Sequence, residues 1–200
     1  RRKNPGDDFL STLILAEDQG SKLSNMEMCA LVGAVLGAGS DTAVDLHSYL
    51  IKTLLQHPEQ LQALKDDESL VQGAISETLR YESSGKTGLA RYASEDVNIN
   101  GFDVKKGQMV QLITSTAGMD PKMYKNPEEF DIKRDHDKSI SFGQGPHYCI
   151  GVTLVRSQTE VMLRELFKRF PNISLGNEIV YDYNHHNARR MDVMTVNTNL

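Results

Sequence analysis

Hydrophobic positions recur at helical spacing through most of the chain and at strand spacing in one short middle stretch, so the pattern predicts a mainly α fold with a small β-sheet region. A long apolar helix is predicted from Met26 to about Gln56, capped by Ser24 or Asn25, with Glu27 in the first turn where a negative charge suits the helix dipole. Its middle, Gly33 to Gly39, is poor in helix propensity, since each interior glycine costs about 1 kcal/mol relative to alanine. Something is therefore expected to approach this backbone closely, and a packed neighbouring helix is the plain explanation. His57-Pro58 ends that helix and starts another through Lys65; Ser69 opens a third that reaches Tyr81.

From Val97 the period changes. Val97 to Ile99, Phe102 to Val104 and Met109 to Thr114, separated by Asn100-Gly101 and Lys105-Lys106-Gly107, predict one small sheet. Asp120-Pro121 and Asn126-Pro127 punctuate an irregular stretch. A helical stripe of Val152, Val155, Val161, Met162, Leu166 and Phe170 ends at Pro171. After Leu175 the pattern predicts loops with a short strand at Val193 to Val196.

Composition narrows the function classes. A hydrophobic content of 39% with 15 glycines is ordinary for a folded domain, so a real core is expected in these 200 residues. A formal charge of −5 argues against nucleic-acid binding, which needs a concentrated basic face. No uninterrupted run of eighteen apolar residues and no signal peptide are visible, so no membrane span and a cytoplasmic location are expected. Two distant cysteines give no disulfide framework. The chain begins Arg1-Arg2-Lys3 without an initiator methionine and reads as a fragment.

The chemistry concentrates between Phe142 and Gly151, F-G-Q-G-P-H-Y-C-I-G, which suspends Cys149 in a glycine-rich loop before the helix that Ile150 and Gly151 are expected to open. Free amides at a helix start carry positive partial charge and favour a thiolate. Gly143, Gly145 and Gly151 allow bent backbone and close approach to a large flat ligand, Phe142 offers an aromatic wall, and His147 a donor to an anionic group. A single activated cysteine is a nucleophile or a metal ligand. A phosphatase loop needs arginine six residues on, where Val155 stands; a papain-like site depends on a histidine brought close only by the fold. Zinc would need a second thiolate or paired histidines nearby, and Cys29 is 120 positions away. One axial sulfur for a metal whose other ligands come from a cofactor fits a thiolate-ligated haem iron.

At these positions the sequence resembles the cytochrome P450 family, whose F-x-x-G-x-x-x-C-x-G signature is met by Phe142, Gly145, Cys149 and Gly151, with His147 at a frequent optional position. Two further segments match in the family's order. Ala38-Gly39-Ser40-Asp41-Thr42 is similar to the segment that crosses the oxygen-binding face of haem. The resemblance makes Thr42 the alcohol and Asp41 the acid of a proton relay, with Ala38 and Gly39 opening space for the ligand. The plain alternative for Thr42 is a hydroxyl bonded to a carbonyl one helical turn earlier. Glu77 and Arg80 form an E-x-x-R pair on one helix face, which in the family is buried and joined by an arginine before the cysteine loop, here Arg134. Arg91 matches the arginine that binds a haem propionate, a role His147 would share; otherwise Arg91 is a solvated surface charge.

The resemblance implies that residues 1–200 are the C-terminal haem-binding portion of a single cytochrome P450 domain, with the N-terminal half of the same fold supplying the substrate lid. It implies haem b (iron protoporphyrin IX) as cofactor, Cys149 as axial ligand, and a monooxygenase that oxidises a small organic substrate with electrons from a ferredoxin or flavodoxin. A peroxide-driven peroxygenase, usually lacking the acid and alcohol, and a non-catalytic haem-binding scaffold are the alternatives. Ser84-Gly85-Lys86-Thr87 fails as a phosphate loop because Arg80 stands where a glycine is required, and adjacent His185-His186 lack metal-site spacing. Ala117-Gly118-Met119-Asp120-Pro121 departs from the family's frequent A-N-R-D-P, and the polar segment from Ser83 to Leu89 departs from its usual proline-containing form.

Overall fold

The computed structural model describes residues 1–18, 24–83, 88–136, 139–184 and 189–199, with backbone alone at 16–18. Ser84 to Thr87 and the His185-His186 pair lie outside the described residues, as does most of the polar Ser83 to Leu89 segment. The chain forms two compact units, Arg1–Val44 and Asp45–Leu200.

In the first unit, helix α1 (Phe9–Asp18), which the sequence pattern did not reveal, starts where Asp8 Oδ1 accepts the Ser11 amide at 2.8 Å. Helix α2 (Asn25–Gln56) begins there and continues into the second unit. Ser24 and Glu27 bond reciprocally: the Ser24 amide donates to Glu27 Oε2 at 2.7 Å and the Glu27 amide to Ser24 Oγ at 3.3 Å, a capping box that fixes where the helix begins. A Cβ added at Gly33, Gly37 or Gly39 would find no described atom within 4 Å. By length and composition α2 is apolar enough to cross a bilayer, which a search for uninterrupted apolar runs did not signal. Its last three turns carry buried Asp45, Lys52 and Thr53 among buried leucines, whereas most of the apolar stretch before them is exposed.

In the second unit those turns supply Leu46, Leu50 and Leu54 to one core. Leu61 and Leu64 of α3 (Pro58–Asp66), Val71, Ala74 and Ile75 of α4 (Val71–Tyr81), Phe130, Ile132, and Leu163 of α6 (Val152–Arg169) complete it. The predicted third helix is divided: Glu68–Leu70 form a 3-10 turn whose start is capped by Asp67, and α4 follows. A short helix α5 (Thr114–Ala117) takes the end of the segment expected as strand.

The strands correct the sequence reading twice. Strand β2 (Val97–Ile99) pairs with β3 (Phe102–Val104) about Asn100-Gly101, both with positive φ, but β4 (Met109–Leu112) does not join them. It pairs antiparallel with β1 (Leu89–Tyr92), a strand too short to stand out by alternation. The tail is a long antiparallel hairpin of β5 (Ser174–Asp182) and β6 (Arg190–Asn197), where loops and one short strand were expected. Register irregularities between Leu175 and Ile179 and between Val180 and Tyr181 break the two-residue alternation that would have announced it.

Candidate functional site

The cysteine loop is held by its backbone. The Cys149 amide donates to the Phe142 carbonyl at 2.9 Å, closing the segment into a loop, and Gly143 and Gly145 take φ of 75° and 67°, where a side chain would be strained. Gly145 to His147 form a 3-10 turn. Helix α6 begins at Val152, not at Ile150, with Gly151 as its N-cap; a Cβ added at Gly151 would lie 3.9 Å from Cys149 Sγ, so the sulfur stands beside the helix start. Its side chain is exposed, and around it Tyr148, Ile150 and Leu154 are 53%, 92% and 62% exposed.

Beneath the loop lies a buried ion cluster built on Glu77. Glu77 Oε2 accepts Arg80 Nε at 2.7 Å; Oε1 accepts Arg80 Nη2 at 2.7 Å, Arg134 Nε at 3.2 Å and the Asp131 amide at 2.9 Å. Both long side chains of the E-x-x-R pair are almost fully buried, so the isolated carboxylate would be costly without these four donors. Arg80 also donates to the carbonyls of Gly118, Pro127 and Glu129, and Arg134 to those of Lys125, Asn126 and Glu129. The two arginines thus tie α4 to the irregular stretch leading into the cysteine loop. At Gly118 an added Cβ would lie 2.8 Å from the Arg80 carbonyl, so a larger residue would require the backbone to shift.

Sequence reasoning missed His136 in this cluster. Its Nε2 lies 3.5 Å from Glu77 Oε2, and neither ring nitrogen has a hydrogen-bond partner among the described residues. Burial pushes the imidazole below its ordinary pKa, against the pull of Glu77. Position two past Arg134 was the only signal. A second, half-buried cluster was also missed: Lys52 and Arg189 both bind Glu82, and Arg189 Nε donates to Tyr49 Oη at 2.9 Å.

The remaining candidates are on β1, the 3-10 turn and α2. Arg91, on β1, is exposed and donates to the Ala90 carbonyl at 2.8 Å; His147 is exposed on its 3-10 turn. Neither forms an ion pair among the described residues. Ala38, Gly39, Asp41 and Thr42 belong to the first unit and are exposed on α2. Thr42 Oγ1 donates to the Ala38 carbonyl at 2.6 Å, the intrahelical bond that was the plain alternative to a relay role.

These features suit the flat porphyrin that the motif implies. An exposed sulfur on a fixed backbone, glycines free of Cβ atoms in the loop, and apolar side chains around it can receive an apolar plane on one axial ligand. Among the described residues no group of three or more His, Cys, Asp or Glu side chains could hold a metal ion by itself.

Comparison with known proteins agrees. The cytochrome P450 family model matches residues 1–177. The chain is 38% identical over 197 residues to the epothilone C/D epoxidase of Sorangium cellulosum, covering 98% of this chain and 47% of that enzyme. It is 40% identical over 177 residues to the 6-deoxyerythronolide B hydroxylase of Saccharopolyspora erythraea, covering 88% of this chain and 44% of that one. The solved structure of epothilone B-bound cytochrome P450epoK superimposes with a TM-score of 0.93 at 38% identity, covering 98% of this chain and 49% of that chain. The chain therefore spans about half the length of the curated relatives it matches. Motifs, fold and relatives converge, and the chain belongs to the cytochrome P450 family, whose cofactor is haem.

Proposed function

We propose that the intact protein is a haem-thiolate monooxygenase with Cys149 as axial ligand of haem b, oxidising a small organic substrate with electrons from a ferredoxin or flavodoxin. The observation that carries this reading is the exposed Cys149 sulfur beside the start of α6, on a backbone fixed by the Phe142 carbonyl. When bound, a thiolate-ligated haem supplies dioxygen activation, the thiolate favouring O–O cleavage. The chain's own residues do the rest. Phe142, Gly145 and Gly151 shape the seat of the ligand, while exposed Arg91 and His147 are the donors available to anionic propionates. Glu77, Arg80 and Arg134 hold the approach to the loop rigid from behind.

Ala38 and Gly39 keep the α2 backbone approachable, and Asp41 and Thr42 move protons to the oxygen-binding face. For that, the Thr42 hydroxyl turns away from the Ala38 carbonyl; while it remains bonded there, its lone pairs serve only to accept. The epothilone and 6-deoxyerythronolide B named in the relatives are the first substrates to try. A cytoplasmic setting suits two free cysteines.

The test is spectroscopic. The reduced, carbon monoxide-bound full-length protein should absorb at the long-wavelength position of thiolate-ligated iron, and Cys149→Ala should abolish that band. Iron held by nitrogen, or no porphyrin at all, would end the proposal.

A further inference from the structure

We infer that Arg156 is a positioning residue for the cysteine loop, acting through the ring of Phe142. Arg156 stands in the second turn of α6, seven residues after Cys149. One edge of its guanidinium is bound to α4: Nη1 donates to Gln72 Oε1 at 2.8 Å and Nη2 to Ser76 Oγ at 3.1 Å. Gln72 and Ser76 are four residues apart and so share one face of α4, Ser76 directly preceding Glu77. The guanidinium carbon lies 5.4 Å from the centre of the Phe142 ring, within cation–π range. The Phe142 carbonyl in turn accepts the Cys149 amide. A continuous series of contacts thus runs from α4 through Arg156 and Phe142 to the backbone of Cys149.

This arrangement needs arginine. Its planar fork reaches two acceptors while a flat face remains for the ring, whereas a lysine ammonium offers a point charge without the fork. Among the described residues no carboxylate lies within ion-pair distance of Arg156, so its contacts are spent on Gln72, Ser76 and the ring. Without it Phe142 loses its outer support, and the Cys149 amide bond opens more often.

The consequence is local and measurable. Amide hydrogen exchange in the full-length protein should show Arg156→Gln accelerating exchange across residues 142–151 by about fivefold, as loss of one cation–π contact of this class would give. Residues 58–66 should be unchanged. Arg156→Lys should fall between the two, and should Arg156→Gln not accumulate as folded protein, Arg156→Lys carries the same comparison. In a Phe142→Leu background the Arg156 substitution should add nothing, because its target is gone. Unchanged exchange at 142–151, equal acceleration at 58–66, or an undiminished effect beside Phe142→Leu would overturn the inference. It builds on Cys149 as the ligand, and the carbon monoxide spectrum of the unmutated protein reports on that assignment separately: its failure would leave the exchange comparison to decide Arg156.

Discussion

Gly73 of α4 lies against the carbonyl of Ile132, so closely that an added Cβ would stand 2.1 Å from that oxygen. The carbonyl cannot yield, because the Ile132 side chain is buried in the core and its amide is bound to Gln60 Oε1 at 3.0 Å. Gly73→Ala improves helix propensity yet should destabilise the protein by about 1–3 kcal/mol through overpacking. Urea denaturation of the full-length protein reads the shift, and a midpoint equal to or above that of the parent would show that this junction is softer than it looks.

The Glu77 carboxylate pairs with both Arg80 and Arg134 in the cluster beneath the cysteine loop. Glu77→Gln keeps the shape but takes from two largely buried guanidinium groups the carboxylate they share, a loss expected to cost about 3–5 kcal/mol. Arg134→Lys should be milder, since Arg134 is partly exposed, although lysine cannot reach the carbonyls of Lys125, Asn126 and Glu129 together. Thermal unfolding should rank the variants Glu77→Gln below Arg134→Lys below the parent. The reverse order would assign the junction's strength to Arg134's carbonyl contacts rather than to the central carboxylate.

His47 and His136 contribute to the response to mild acid. His47 Nε2 lies 2.9 Å from Thr159 Oγ1, and since that hydroxyl donates to the Val155 carbonyl at 2.6 Å, the imidazole is the donor in its Nε2–H tautomer. Burial holds both histidines below their ordinary pKa, at His136 against Glu77 and Asp135 and with Arg80 and Arg134 reinforcing the shift. As pH falls through about 6.5 the unfolded chain takes up these protons before the folded one does, so stability rises with pH and is lost on acidification. His47→Gln keeps a donor for Thr159 and removes one titrating group. Between about pH 7.5 and pH 5.5 the parent's urea midpoint should therefore fall further than the variant's; equal falls would exclude His47 as a contributor.

Much of this was legible because helices announce themselves over many residues. Ser24 and Glu27 mark the start of α2, Pro58 that of α3, and Phe142, Gly145, Cys149 and Gly151 carry the loop in a fixed spacing. The β region was less so. β1 has four residues and no turn joining it to its partner, and irregular register hides the β5–β6 hairpin from a two-residue pattern. His136 and Arg156 escaped because their partners, Glu77 and Phe142, are 59 and 14 residues away in sequence and meet them only through folding.

Thr42 offers the sharpest test of the proposed chemistry, because its intrahelical bond and its relay role make opposite demands on one proton. Bonded to Ala38, the hydroxyl contributes only to α2, where it is exposed, and its loss should leave stability nearly unchanged. As a relay, the same hydroxyl must give its proton toward the oxygen-binding face and recover one by way of Asp41. Thr42→Ala in the full-length enzyme should then leave electron consumption intact while product falls and peroxide rises. Thr42→Ser, which restores a hydroxyl, should recover most of the coupling. If Thr42→Ala couples electrons to product as well as the parent does, the hydroxyl belongs to the helix alone and the proton path runs elsewhere.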